Sequence, residues 1–149
     1  MPGLFFPRPI EFWAGVDVSE LPLILVVEDE YALQGVVEDA LIEGGFEAEI
    51  LSSGEEALTL FKGRIKEYRA LVTDVNLKGH LNGWEVARQI RENNPTFPII
   101  YMTGAASGKW ASHGVPNSIL LEKPFAPAQL VTALANLLNA GSPPIAPTQ

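Results

Sequence analysis

The sequence contains no cysteine, which excludes disulfides and thiolate metal sites. Histidine is nearly as scarce: His80 and His113 fall in expected loops, and neither has metal-ligand spacing around it. Cations are few, with 10 Lys and Arg against 18 Asp and Glu and a net charge of −8. They form no cluster that could follow a phosphate backbone, so no nucleic-acid partner is expected. No apolar run approaches the roughly 20 residues that cross a bilayer, so no membrane partner is expected either. The apolar N-terminus, "MPGLFFPRPIEFWAG", is interrupted by Pro2, Pro7 and Pro9 and carries Glu11. It therefore lacks the long apolar centre of a signal peptide. These absences fit a cytoplasmic protein.

What is present is apolar and periodic. The 149 residues, 47% of them hydrophobic, are enough for one domain with a proper core. Residues 1–21 show no clean period and read as an extension, 22–140 as the domain and 141–149, rich in proline, as a tail. Within the domain, "LILVV" is a continuous apolar run of the kind found in strands buried on both faces. Leu33, Val36, Val37, Ala40 and Leu41 then recur at helical spacing, and Gly44-Gly45 supplies a stop. "FEAEIL" alternates and is short, as a strand nearer the sheet edge would be. "SSGEEALTLFKGRIKEY" opens with serine caps and acids and places Ala57, Leu58, Phe61 and Ile65 on one face. "ALVTD", the helical "GWEVARQIREN", and the strands "FPIIYM" and "SILLE" follow, and the last helix repeats Leu130, Leu134, Leu137 and Leu138. Residues 105–114 have no apolar stripe, so any helix there should be short and weakly held. Five βα units predict a parallel sheet covered on both faces, with ligands just beyond the carboxyl ends of its strands.

Those strand ends carry polar groups. Strand one ends at Glu28-Asp29-Glu30, strand three at Asp74, strand four at Thr103 and strand five at Lys123. Taken singly, each has an ordinary reading as a helix cap, a turn residue or a surface charge. Arriving together on one rim, the carboxylates would repel unless a cation or proton sits between them. Mg²⁺ suits hard oxygen ligands, and a phosphoryl group beside it would accept Lys123 and Thr103 as partners. Trp84 and Trp110 are expected to serve packing, and Glu30 to face solvent or the first helix.

The segments "ILVVEDE", "LVTDVNLKGHLNGWEV", "IIYMTG" and "LLEKPF", in that order and spacing, resemble the receiver domain of two-component response regulators. The resemblance implies an α/β, flavodoxin-like three-layer sandwich whose five-stranded parallel sheet has order 2-1-3-4-5 and carries five helices. It implies that Asp74 is the phospho-acceptor, that Glu28 and Asp29 hold Mg²⁺ with Asp74 and the backbone carbonyl of Asn76, and that Thr103 and Lys123 contact the phosphoryl oxygens. It also implies a cis Lys123-Pro124 bond. The chain departs from the family pattern in several places. Glu28 stands where aspartate is also common. The loop after Asp74 is one residue longer than usual and lacks a frequent proline. Leu120 replaces an aromatic switch residue, and no effector domain is expected after Ala140. "YMTG" and "LLEKPFAPAQL" resemble stand-alone receivers found beside unusual histidine kinases in alphaproteobacteria.

By this resemblance the chain is a single-domain bacterial response regulator and not an enzyme in its own right. A histidine kinase or histidine phosphotransfer protein would donate the phosphoryl group, and the signal would leave through a protein–protein contact. A homodimer is compatible with that reading. Three rivals are weaker. An aspartate-dependent phosphatase would need a second aspartate where Asn76 stands, which removes the general acid. "GAASGK", Gly104 to Lys109, has one residue too few for a phosphate-binding loop, and Trp110 stands where Ser or Thr should follow. A receiver-fold interaction module not controlled by phosphorylation would not need all the rim residues.

Overall fold

The computed structural model describes residues 21–140, so the N-terminal extension up to residue 20 and the tail at 141–149 lie outside the described residues. Five strands alternate with five helices: β1 (Leu23–Val27), α1 (Tyr31–Glu43), β2 (Glu47–Leu51), α2 (Gly54–Gly63), β3 (Tyr68–Asp74), α3 (Gly83–Asn93), β4 (Ile99–Thr103), α4 (Trp110–His113), β5 (Ile119–Glu122) and α5 (Pro127–Ala140). A short 3-10 turn at Ser107–Lys109 leads into α4. The strands are all parallel and ordered β2-β1-β3-β4-β5, the flavodoxin-like arrangement expected from the sequence. Among the described residues no helix is long and apolar enough to cross a membrane.

Alternation along each strand divides the core. Leu25 and Val27 face one way with Leu71, Ile99 and Tyr101, against Ala57 and Phe61 of α2 and Val86 and Ile90 of α3. Ile24 and Val26 face the other way with Val72, Ile100 and Met102, against Val37 and Leu41 of α1 and Leu130 and Leu134 of α5. Each fully buried side chain of this kind contributes about 1.5–3 kcal/mol relative to exposure. β2 pairs only with β1 and is half-buried along its length, as its alternating sequence predicts for an edge.

Local signals explain the helix ends. Ser53 caps α2 by accepting the Glu56 N–H, and Asn82 with Glu85 forms a reciprocal capping box at α3. Gly45, at φ +92°, takes the left-handed turn after α1 that favours glycine. Two expectations need correction. Val36 is exposed, because it lies at the margin of a stripe centred on Val37, Ala40 and Leu41. Ile65 lies beyond α2, which already ends at Gly63, and packs half-buried from the following turn. The segment after β4 is as slight as its sequence predicts, for neither the 3-10 turn nor α4 contains a buried residue.

Register carries this fold to the site. Val27 pairs with both Leu51 and Thr73, Asp74 with Met102, and Thr103 with Glu122. The carboxyl ends of all five strands therefore fall in one row, and the residue after each end emerges on the same rim.

Candidate phosphoacceptor and metal site

Glu28 follows the last residue of β1, so it stands beside Asp74 at the end of neighbouring β3. Glu28, Asp29 and Asp74 each bring a carboxylate oxygen to a point where all three lie within 4.8 Å of one another. Lys123, after β5, reaches across β4 to lie 3.3 Å from Glu28 Oε1 and 3.2 Å from Asp74 Oδ2. The peptide bond that follows it, Lys123-Pro124, is cis. Four rim residues named from the sequence thus form one cluster in which three carboxylates face one ammonium.

Burial and charge set the protonation of this cluster. Glu28 is wholly buried, and Asp74 is 6% exposed. Desolvation pushes the Asp74 carboxyl above its ordinary range, against the pull of Lys123 and of a hydrogen bond from the Asn76 N–H. Desolvation also raises Glu28, against the Glu30 N–H that donates to its Oε2 at 2.9 Å. Burial alone would lower Lys123, but Asp74 and Glu28 outweigh it and hold the ammonium above its usual range. Three carboxyl groups thus face a single ammonium. The exposed side of the cluster offers hard oxygen donors, which is the chemistry a divalent ion such as Mg²⁺ accepts.

Asp29 is half-buried, and its Oδ2 accepts the Lys78 N–H at 3.0 Å, so the loop after β3 is tied to the acidic pocket. Glu30 is exposed and caps α1 through its backbone only. Asn76 is exposed at the start of the loop, two residues past Asp74. Thr103 is buried beside the rim, but its hydroxyl oxygen is already engaged: it accepts the N–H groups of Ala105 at 3.2 Å and Ala106 at 2.8 Å. The Thr103 proton remains available for donation. Trp84 packs in the core at 4.6 Å from the Tyr101 ring, whereas Trp110 is partly exposed on α4 and donates to Ser118 Oγ at 3.0 Å. His80 and His113 are exposed and outside the cluster.

The structure adds residues that sequence reasoning missed. Gln34 donates from Nε2 to the Glu28 carbonyl at 2.6 Å and to Ser52 Oγ at 3.2 Å, joining α1 to the strand ends behind the acids. Gly83 lets the start of α3 touch the backbone of Asp74, for a Cβ there would lie 2.2 Å from the Asp74 carbonyl oxygen. Tyr101, paired with Leu120 across β4 and β5, accepts the Val115 N–H on its hydroxyl at 3.1 Å. An aromatic residue in the middle of an apolar strand was the only sequence signal for it.

Comparison with known proteins places this geometry among familiar ones. The family model for the response regulator receiver domain matches residues 24–135. A receiver protein from Sinorhizobium medicae superposes with a TM-score of 0.78 at 44% identity, covering 81% of this chain and 97% of that one. A receiver domain protein from Clostridium thermocellum gives 0.73 at 26% identity over 80% of this chain and 96% of its own. The response regulator MprA of a Mycobacterium species is 33% identical over 122 residues, 80% of this chain and 52% of its own length. The chain spans about half the length of the curated relatives it matches.

Proposed function

This chain belongs to the response regulator receiver domain family, and from that premise we propose that it is a cytoplasmic receiver whose Asp74 accepts a phosphoryl group from a histidine kinase or phosphotransfer protein. The observation that carries this reading is the position of Asp74, a buried strand-end carboxylate 3.2 Å from the Lys123 ammonium and grouped with Glu28 and Asp29. In this reading an Asp74 carboxylate oxygen attacks the phosphorus of a phosphohistidine. The new O–P bond forms as the N–P bond breaks, and the imidazole leaves with that electron pair. The transfer needs alignment and charge neutralisation more than covalent chemistry. Lys123 supplies a fixed positive charge to one side of the phosphoryl group. Glu28, Asp29, Asp74 and the Asn76 carbonyl would hold Mg²⁺, which when bound supplies positive charge to the phosphoryl oxygens. The Thr103 hydroxyl has a proton to donate to a remaining oxygen. Hydrolysis of the aspartyl phosphate resets the domain.

Transfer from a phosphorylated histidine kinase to Lys123→Ala should be at least about 100-fold slower than to the parent chain. Equal rates, read as label moving from kinase to receiver, would contradict the assigned roles.

The proposed output runs through the segment between β4 and β5. Apart from the apolar seats of Val115 and Ala106 on the core, it holds to the domain through polar contacts: the Thr103 hydroxyl on Ala105 and Ala106, Tyr101 on Val115, and Trp110 on Ser118. Such a segment is the cheapest part of the fold to reorder. Drawing the Thr103 hydroxyl toward a phosphoryl group releases the two N–H groups it now caps. Leu120 offers no ring to rotate, so the response is a shift of loop and helix. With beryllofluoride as a phosphoryl mimic, hydrogen exchange should change across 103–120 and stay constant across 54–66. The reverse pattern would place the output face elsewhere.

A further inference from the structure

We propose that Glu55, in the first turn of α2, is a positioning residue for the acidic site, acting through the loop that joins β3 to α3. The inference rests on the reading of Glu28, Asp29 and Asp74 as a Mg²⁺ site.

The loop from Val75 to Asn82 is gripped by carboxylates on two sides. On the site side, Asp29 Oδ2 accepts the Lys78 N–H at 3.0 Å. On the opposite side, Glu55 Oε2 accepts the His80 N–H at 2.8 Å. The hydrogen bond from the His80 N–H, helped by the nearby backbone N–H groups of Glu55 itself and of Leu81, holds the Glu55 carboxyl below its usual range, so it is an anion at neutral pH. Between the two grips lies Gly79 at φ +99°, a left-handed conformation, and a Cβ added there would come 3.1 Å from Glu55 Oε1. The loop backbone therefore lies directly on the carboxylate. Glu55 Oε1 is itself buried with no hydrogen-bond partner, so this side chain is enclosed by the loop rather than loosely spread over it.

The ends of the loop are fixed, by buried Val75 and by the Asn82–Glu85 capping box, but its middle has little else to hold it. Lys78, Gly79 and His80 are exposed, and Leu77 and Leu81 pack half-buried against the core. Its position matters because it carries Asn76 at one end and the Lys78 N–H that orients Asp29. A carboxylate that settles the loop thereby settles two of the groups assigned to the ion, although it touches neither the ion nor Asp74. Outer-shell residues of this kind shift metal affinity without contributing a ligand.

The test uses the full chain and the variants Glu55→Ala and Glu55→Gln. In metal-free protein, hydrogen exchange should show lost protection at His80 and Leu81 in Glu55→Ala, and also at Lys78, whose partner is Asp29 and not Glu55. Loss confined to His80 and Leu81 would mark a merely local contact and overturn the proposal. Titration with Mg²⁺ alone should show affinity about tenfold weaker in Glu55→Ala. Glu55→Gln keeps one acceptor oxygen and should recover part of both losses; it also carries the test if the alanine variant does not fold. Parent-like Mg²⁺ affinity in both variants overturns the role of Glu55 alone. A parent chain that binds no Mg²⁺ overturns the metal reading on which that role rests.

Discussion

Gly83→Ala is expected to cost at least about 3 kcal/mol, a large share of the roughly 5–15 kcal/mol that holds a domain of this size together. The added Cβ would lie 2.2 Å from the Asp74 carbonyl oxygen, 2.9 Å from Val75 Cα and 3.0 Å from the Asp74 carbonyl carbon. All three are backbone atoms, so no side chain can swing aside. Gly83 N–H also donates to the Val75 carbonyl at 2.8 Å, which pins the first turn of α3 to the end of β3. To admit a methyl group, either α3 must lift from the sheet or the strand end bearing Asp74 must move. The midpoint of thermal unfolding should fall by about 10 °C or more. Gly35→Ala is the control: nothing lies within 4 Å of its would-be Cβ, and it sits on the exposed face of α1. That change should stabilise by about 0.5–1 kcal/mol through helix propensity. Equal, small effects at both positions would contradict the close approach of α3 to the acceptor.

Asp74→Asn should make the metal-free protein more stable at neutral pH, the opposite of what loss of an ion pair usually does. Burial raises both Asp74 and Glu28, so the folded state holds protons that the unfolded state has released. Between the ordinary carboxylate range and these raised values, stability falls as pH rises, and above them the cost of the buried charges is fully present. Removing the Asp74 charge leaves Lys123 paired with Glu28 at 3.3 Å, so no buried ion is left alone. Lys123 itself is raised, so its contribution is complete at neutral pH and lost only in strong alkali. A gain of about 1 kcal/mol, or about 3–6 °C in the melting midpoint, is expected near pH 7. It should shrink as pH falls toward 4 and the parent carboxylates take up protons. Mg²⁺ should stabilise the parent more than the variant, because a ligand stabilises the state that binds it. A lowered midpoint at pH 7 would show instead that Asp74 is a structural ion-pair partner.

How much of this could be read from the chain follows from the range of each interaction. The apolar runs 23–27, 70–72 and 99–102 announce buried parallel strands, and a parallel register then brings Glu28, Asp74 and Lys123 to one rim without further information. Glu28 and Lys123 are 95 positions apart, yet the alternation of strands and helices is enough to bring them together. The missing aromatic at Leu120 and the weakness of 105–114 are likewise local facts. The Glu55 grip on the loop, the approach of Gly83 to Asp74 and the bond from Gln34 to the Glu28 carbonyl are not. Each depends on how one helix end seats against a loop or strand, and no periodicity records that. Thr103 shows the intermediate case: its place at a strand end was legible, but its present engagement with Ala105 and Ala106 comes from the turn that follows.

The central claim is that Asp74 is the phosphoacceptor, and intact mass tests it most directly. The parent chain incubated with a small acyl-phosphate donor and Mg²⁺ should gain one phosphoryl group, and that gain should disappear when Mg²⁺ is chelated before the donor is added. Asp74→Asn, folded and at least as stable as the parent, should gain none. Equal labelling of the variant, or labelling of the parent at any residue other than Asp74, would contradict the account.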